Sequence, residues 1–198
     1  SVRGGSYDEN SVYVNGIEVY RPYLVRTGEQ EGLSFVNPDL VGNVEFTAGG
    51  FDSRYGDKLS SVLDITYRKP MSFEAGIAGS FMGATAYIGS SNEKYSQIHG
   101  IRYKNASWLL GTLQTNAEYD PNFLDYQTYI TYKPHEKVEL ALLANLSQNT
   151  YNFKPETRST TFGSLNDLQN FTVYFSGQEK DLFRTAFGAL SATYKPDD

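Results

Sequence analysis

The stretch from residue 125 to residue 149 constrains the fold of this chain most, because its side chains alternate with the two-residue period of a β-strand. It reads DYQTYITY, then the turn KPHE, then KVELALLANLSQN. In the last segment Leu140, Leu142 and Leu146 share one face, whereas Asn145 and Ser147 lie on the other. Two alternating segments around a short turn that contains proline predict an antiparallel β-hairpin.

Other short strands are predicted on both sides of this hairpin. The segments 73–80 and 84–90 are rich in small residues and flank a tight FMG turn, and a third strand follows at 95–103. A last strand is predicted from about residue 183 to residue 194. Since no helical period appears in this half of the chain, we expect residues 71–198 to form one unit of antiparallel strands.

The composition favours β-structure and excludes several classes of protein. The 198 residues include 16 Tyr, 12 Phe and 18 Gly, and the formal net charge is −6. An acidic chain lacks the basic face that neutralises nucleic-acid phosphates, so no nucleic-acid partner is expected. The sequence contains no Cys, which excludes disulfides and thiolate metal sites. The longest nearly apolar run, at 140–146, is too short for a membrane helix of about 20 residues, and no signal peptide is visible in SVRGG.

Residues 1–70 have a mixed sequence pattern with only short strand-like pieces, and we expect them to form a compact α+β unit. Strand-like pieces at 11–20 and 60–68 are bounded by turn-forming residues, and residues 36–50 read as a turn or a short helical turn followed by a strand. The stretch GGFDSRYGDKLSSVLDI, at 49–65, indicates sharp turns or a close approach of the backbone to a neighbouring structure.

These segments resemble a known family. VRGGSYDENSVYVNGIEVYRPY, at 2–23, and SFVNPDLVGNVEFTAGGFDSRYGDKLSSVLDITYRKP, at 34–70, contain Arg-Gly-Gly, an acidic-Asn turn, Val-Asn-Gly-Ile and a Gly-Gly…Tyr-Gly…Ser-Val…Ile run in that order. The pattern resembles the C-terminal part of the plug domain of TonB-dependent outer-membrane receptors. Residues 71–198 look like the first strands of the barrel, and 119–164 is similar to a subfamily with an N-terminal carboxypeptidase-like regulatory domain. Asn15 stands where many relatives have Asp, and both residues tolerate a left-handed turn.

The resemblance implies active uptake of a scarce nutrient, such as a siderophore, vitamin, glycan or peptide, across the outer membrane of Gram-negative bacteria. In such receptors the plug lies in the barrel lumen, and the plug apex and the external loops bind the substrate. The implied partners are a TonB complex, reached through a segment outside this chain, the lipid and lipopolysaccharide around the barrel, and in some relatives a surface lipoprotein. Neither enzyme chemistry nor a cofactor is implied.

Membership of such a barrel would fix the topology of the predicted strands. Short turns lie on the periplasmic side and long loops outside, which places SNEK at 91–94 and the two TYKP turns, at 131–134 and 193–196, on the periplasmic side. Residues 104–123 and 150–182 are then external loops, the second with a strand-like extension, FTVYFS. The result is six membrane strands of about 22. Because about eight strands are the practical minimum for closure, the chain is expected to be part of something larger.

The first set of candidate site residues belongs to the plug motif. Gly49 and Gly50 would adopt positive φ, Gly56 would allow close approach to the barrel wall, and Arg3 and Arg54 would pair with wall carboxylates. Ser60 and Ser61 would form hydrogen bonds where water is partly excluded. The full set is Arg3, Gly4, Gly5, Asp8, Glu9, Asn10, Gly16, Gly49, Gly50, Arg54, Tyr55, Gly56 and Ser60.

The second set would face the substrate from the long external loop. Its members are Tyr151, Phe153, Arg158, Phe162, Phe171 and Tyr174. Aromatic rings there could stack on a sugar, peptide or chelate, although a barrel needs interfacial rings in any case. Simpler interpretations exist for the first set too: residues 8–10 suit a solvated turn better than a cation site, and the arginines could be ordinary surface residues.

Other functions remain open. A β-rich surface binding or adhesion module without transport also fits acidic, Tyr-rich strands, and a secreted β-sandwich hydrolase is a third interpretation. His99 and His135 lie on different predicted elements, which disfavours a metal site. No motif selects a catalytic carboxylate pair, and the nearest candidates are expected on solvated faces: Glu118, Asp120, Asp125 and Glu179. We therefore expect that the protein is not an enzyme.

Overall fold

The computed structural model describes residues 10–20, 26–27, 30–31, 34–50, 52, 54–55, 60–105, 117–155, 157–164, 167–174, 176–177 and 179–196. Strands make up most of this part of the chain, and helix is limited there to one short 3-10 turn, Pro38–Leu40. The expected mainly β, antiparallel character is confirmed. The helical part of the expected α+β first region amounts to that single turn among the described residues.

The described residues of the first region contain six short strands. They are β1 (Asn10–Val14), β2 (Ile17–Glu18), β3 (Arg26–Thr27), β4 (Gln30–Glu31), β5 (Val41–Thr47) and β6 (Ser61–Tyr67). Four of them form what we call the small sheet, in the order β2-β1-β6-β5. β1 runs parallel to β6, whereas its pairing with β2 and the pairing of β5 with β6 are antiparallel. β3 and β4 make a separate short ladder.

Local sequence explains the two turns that shape the small sheet. Asn15 and Gly16, between β1 and β2, have φ of 51° and 76°, the positive values that a tight two-residue hairpin turn requires. Asn15 thus adopts the left-handed conformation that both Asn and Asp tolerate. Asn37 begins the 3-10 turn, because its side chain accepts a hydrogen bond from the backbone N–H of Asp39 at 3.0 Å. The expected helical turn followed by a strand is thus present at 38–47.

In the part of the second region that the structure describes, eight strands follow. They are β7 (Glu74–Ser80), β8 (Gly83–Ser91), β9 (Tyr95–Asn105), β10 (Ala117–His135), β11 (Val138–Pro155), β12 (Arg158–Ser164), β13 (Asp167–Val173) and β14 (Glu179–Tyr194). Six of them form one antiparallel sheet, the large sheet, in the order β14-β11-β10-β9-β8-β7. These are the six strands that the sequence predicted here. β12 and β13 form a hairpin of their own.

Three details differ from the sequence expectation. β10 continues through the predicted KPHE turn as far as His135, so that the chain reverses at residues 136–137. β10 already begins at Ala117 and β11 extends to Pro155, and the stretches expected as loops are therefore partly strand. The cause is the long register between these two strands, which pairs Ala117 with Pro155 at its far end. Pairing with a neighbouring strand extends a strand beyond the segment whose alternating side chains can be recognised in the sequence.

The two faces of the large sheet are unlike. We call the face that packs on the small sheet the inner face; it carries the odd-numbered residues of β10 and β11 and the even-numbered residues of β9. The opposite, outer face is largely apolar, and many of its large side chains are exposed. These are Ile77, Ile88, Ile101, Tyr103, Leu124, Tyr126, Tyr132, Leu140, Leu146, Leu182, Leu190 and Tyr194.

The two sheets share one core. Buried side chains of both make it up, namely Val14, Val19, Phe35, Leu40, Ile65, Tyr67, Ile98, Tyr129 and Leu143. The rings of Tyr67 and Tyr129 meet edge to face with centroids 6.5 Å apart. Gly100 in β9 permits close approach, because a Cβ atom there would lie 2.5 Å from Asn37 Nδ2 and 3.0 Å from Leu40 Cδ2. The 3-10 turn therefore sits directly on the backbone of the large sheet.

Candidate functional site

A buried ion pair lies at the centre of the inner face. Arg102 in β9 and Asp125 in β10 are directly opposite each other across the antiparallel pair. Arg102 Nε donates to Asp125 Oδ1 at 2.8 Å and Arg102 Nη2 donates to Oδ2 at 2.7 Å. The side chains are only 4% and 0% exposed. Such a bidentate, charge-assisted ion pair is both strong and geometrically specific. Removal of either partner would leave the other charge buried and unpaired.

The same guanidinium also binds the backbone of the first region. Arg102 Nη1 donates to the carbonyl oxygen of Val36 at 2.8 Å, and Nη2 donates to the carbonyls of Ser34 at 3.0 Å and Phe35 at 3.3 Å. Gln127 Nε2, on the neighbouring strand, also donates to the carbonyl of Phe35. Three consecutive carbonyl groups are therefore held by the large sheet. We call Arg102, Asp125 and Gln127 the clamp.

Further polar side chains join the clamp to the small sheet. Tyr67 Oη in β6 donates to Gln127 Oε1 at 2.6 Å. Asp125 Oδ2 also accepts from Gln127 Nε2 at 2.8 Å and from Asn145 Nδ2 at 3.3 Å. Burial raises the pKa of the Tyr67 phenol, because the charged tyrosinate is poorly solvated there. The hydroxyl thus keeps its proton and acts as a hydrogen-bond donor.

The clamp is suited to holding a chain segment rather than to catalysis. Each of its groups is a hydrogen-bond donor or acceptor that is already engaged, and none is a nucleophile next to a base. In the described part of the chain, no group of three or more His, Cys, Asp or Glu side chains could hold a metal ion. What this arrangement does is fix the position of residues 34–36 on the inner face.

Several predicted plug-motif residues occupy the conformations expected of them. Gly49 and Gly50 have φ of 79° and 68°, which confirms the expected positive-φ turn. Ser60 and Ser61 are buried, and Ser61 Oγ donates to Asn10 Oδ1 at 2.6 Å. Asn10 is the first residue of β1, so the interpretation of Asn10 as part of a solvated turn is wrong. Six members of that set lie outside the described residues: Arg3, Gly4, Gly5, Asp8, Glu9 and Gly56.

Arg54 and Tyr55 lie away from the large sheet. Arg54 is within 3.9 Å of both Asp52 and Asp64, and its guanidinium carbon lies 4.6 Å from the centroid of the Tyr55 ring. The carboxylates that it meets in the described part of the chain thus belong to the first region, and its pairing with a barrel wall stays a prediction. The reason is geometric: Asp64 in β6 points away from the core that its neighbour Ile65 enters. Tyr55 donates to the Asp64 carboxylate, and this hydrogen bond raises the pKa of the Tyr55 phenol.

The predicted substrate-facing aromatics lie partly on the β12–β13 hairpin. Phe162 and Phe171 share one face of it, since Phe162 pairs with Gln169 and Thr160 pairs with Phe171. Their exposed fractions are 54% and 59%, and Tyr174 just beyond the hairpin is 80% exposed. The side chains of Tyr151, Phe153 and Arg158 lie outside the described part. The structure therefore brings two of the six candidates together on one surface.

Sequence reasoning missed the clamp. Asp125 was expected on a solvated face, yet its side chain is fully buried, and Arg102, Gln127 and Tyr67 were not selected. One signal was available: Asp125 and Gln127 occupy the same alternating face as Tyr129, so a buried Tyr129 implies a buried carboxylate that needs a cation.

No protein-family model matches the chain, and no curated protein matches it. Within the described residues no helix combines the length and the apolar character needed to cross a membrane.

The hydroxyl of Tyr67 offers a direct test of the clamp at alkaline pH. A raised pKa means that the folded state holds this proton more tightly than the unfolded state, so its contribution to stability is complete below about pH 10 and is lost above that value. We expect the tyrosinate absorbance of the folded protein to rise equally near pH 10 in the wild type and in Tyr67→Phe. In denaturant, as a control, the variant should lack the signal of one tyrosine. A one-tyrosine deficit in the folded variant near pH 10 would show that Tyr67 is not held as described.

Proposed function

We propose that this chain is the C-terminal part of the plug and the first six barrel strands of a TonB-dependent transporter, which takes up a scarce nutrient across the bacterial outer membrane. The observation that carries the proposal is the reversed polarity of the large sheet. Its exposed outer face is apolar, and its inner face contains the buried polar groups Arg102, Asp125, Gln127 and Asn145.

A water-soluble sandwich would place these faces the other way round. In soluble β-proteins the apolar face of a sheet is packed inside and the polar face meets water. In a membrane barrel the apolar residues face lipid and the polar residues face the lumen. The outer face fits lipid, since Leu140, Leu142 and Leu146 line one strand and Leu190 and Tyr194 line the next.

The edges of the large sheet also suit an incomplete barrel. No strand in the described part of the chain pairs with the outer side of β7 or β14. Large apolar side chains are exposed along both, with Ile77 in β7 86% exposed and Leu190 in β14 84% exposed. Open, apolar edges promote aggregation in soluble proteins, whereas further barrel strands would cover them.

The longer connections, from β9 to β10 and from β11 to β14, leave the large sheet at one end, which they share with the tight β7–β8 turn at residues 81–82. Residues 92–94 and 136–137 connect neighbouring strands tightly, and the backbone N–H of Lys133 donates to the carbonyl of Lys94 at 2.7 Å, which places these turns side by side. The β12–β13 hairpin stands at the other end, where Phe153 pairs with Glu179. In the proposed transporter the turns at 92–94 and 136–137 would be periplasmic and the hairpin external.

Cell fractionation tests the proposal on the full-length parent protein. We expect it in the outer-membrane fraction, resistant to extraction by alkaline carbonate and soluble only with detergent. A parent protein that is freely soluble after cell lysis would contradict the proposal.

A surface binding module without transport is the second candidate. The observation in its favour is the exposed aromatic pair Phe162 and Phe171 on a hairpin that makes few contacts with the remaining described strands. Such a module would need no lumen. If it is correct, substitutions at the clamp should leave ligand binding at the hairpin unchanged, and no nutrient uptake should depend on the protein.

A further inference from the structure

The clamp recognises main chain and not side chains. Its acceptors in the first region are the carbonyl oxygens of Ser34, Phe35 and Val36, all within 3.3 Å of donors on Arg102. One guanidinium serves these three carbonyls and the Asp125 carboxylate at once. This is possible because Arg carries five N–H donors in a planar fork, whereas Lys carries three on a single atom.

The small sheet is attached at the side where the clamp lies. Phe35 is 2% exposed, and its ring meets that of Phe187 in β14 edge to face at 5.5 Å. Tyr67 in β6 reaches Gln127, as described above. By contrast β5, at the edge of the small sheet, is exposed along nearly its whole length, with Val44 and Phe46 52% and 58% exposed. The clamp, its neighbours and the shared core therefore attach the small sheet to the large sheet on this side, whereas the edge strand β5 contributes little.

We propose that Arg102 is the positioning residue that, through residues 34–36, keeps the small sheet docked on the large sheet. In the proposed transporter the plug occupies the lumen, so loss of this contact should open a path for passive diffusion. The proposal rests on the proposed function, since only a barrel has a lumen to close. Loss of Arg102 would remove the side-chain donor of the Ser34 and Val36 carbonyls. The buried Asp125 carboxylate would lose its cation and keep only amide donors, from Gln127 and Asn145. Because that state is costly, the segment would leave the inner face and open a gap beside it.

The test measures entry of a solute that is not a substrate. Intact cells carry the full-length parent protein in the outer membrane and a periplasmic β-lactamase, and the rate of nitrocefin hydrolysis reports how fast this cephalosporin enters. We expect Arg102→Met to raise the rate severalfold at unchanged abundance in the outer membrane, and Arg102→Lys to give a smaller rise. Arg184→Met is the matched control, because Arg184 lies on exposed β14 and bonds only to Gln148 among the described contacts; it should leave the rate unchanged.

A disulfide rescue separates seating from folding. A Cβ atom at Gly100 would lie 2.5 Å from Asn37 Nδ2, so the two positions are in close contact. We therefore choose the pair Asn37→Cys and Gly100→Cys for a disulfide, which requires Cβ atoms roughly 3.5–4.5 Å apart. In the Arg102→Met background, the oxidised pair should return nitrocefin entry to the wild-type rate, and a reductant should raise it again.

Three results would overturn the proposal. The first is that Arg102→Lys or Arg102→Met reaches the outer membrane at wild-type abundance but nitrocefin enters no faster than in the wild type. The second is a leak that persists after the disulfide has formed. The third is failure of Arg102→Met to assemble even with the disulfide in place, which would assign the residue to folding. Failure of the proposed function looks different, since the wild-type protein itself would then be missing from the outer membrane.

Discussion

Replacement of Asp125 by Ala should destabilise the protein by about 3–5 kcal/mol, the range found when one partner of a buried ion pair is removed. Arg102 would remain in a site where its side chain is 4% exposed, with its two carboxylate hydrogen bonds lost. Gln127 and Asn145 would also lose an acceptor at the same position. The measurement is the free energy of unfolding from urea titration of the purified protein in detergent.

Two further variants make this result specific. Glu139→Ala removes a comparable link between the regions, because Glu139 accepts from Lys69 Nζ at 2.6 Å, but this pair is partly exposed and should contribute about 1 kcal/mol or less. Replacement of both charges, by Arg102→Met with Asp125→Leu, should cost less than Asp125→Ala alone, since no buried charge is left unpaired. An Asp125→Ala variant no less stable than Glu139→Ala would contradict the described burial of the clamp.

Replacement of Leu190 by Arg should also lower the free energy of unfolding strongly. This effect is expected only if the outer face is in contact with lipid. Leu190 is 84% exposed and pairs with Leu142, in the middle of the apolar band. An exposed substitution on a soluble protein usually changes stability by less than about 0.5 kcal/mol. Arg at the lipid-facing midplane of a barrel costs about 2–4 kcal/mol. The two environments therefore predict different outcomes for the same side chain.

The control for Leu190→Arg is Phe162→Arg, on the β12–β13 hairpin. Phe162 is 54% exposed and lies beyond the apolar band, where a charge would meet water. The quantity to compare is the unfolding free energy of the full-length parent protein in lipid bilayers. Equal, small effects at both positions would show that the outer face of the large sheet is not in contact with lipid.

The strands could be predicted from sequence because their information is local. Alternation along 125–132 and 137–149 indicated the hairpin, and Gly49-Gly50 indicated a turn with positive φ. Each of these features depends on neighbouring residues alone, so no knowledge of distant partners was needed. The polarity of the two faces could also be derived, once the register of the strands was known.

The clamp could not be predicted, because it depends on contacts between residues far apart in the chain. Arg102 and Asp125 become neighbours only through the β9–β10 register, and the carbonyls of residues 34–36 approach from more than sixty positions away. The partners of Arg54 depend on docking in the same way: charge alone does not say that Asp64, on the far face of β6, lies within 3.9 Å. The alternating pattern of a strand determines which side chains share a face, whereas tertiary docking determines which distant residues those side chains contact.

The most direct test of the central claim is topological, on the full-length parent protein in intact cells. Single cysteines at Thr160→Cys and His135→Cys are treated with a membrane-impermeant maleimide; both native side chains are exposed, so the protein itself shields neither. If the large sheet spans the outer membrane, Thr160→Cys should label in intact cells and His135→Cys only after the membrane is broken. Equal labelling of both in intact cells would contradict a membrane-spanning sheet and favour a surface binding module.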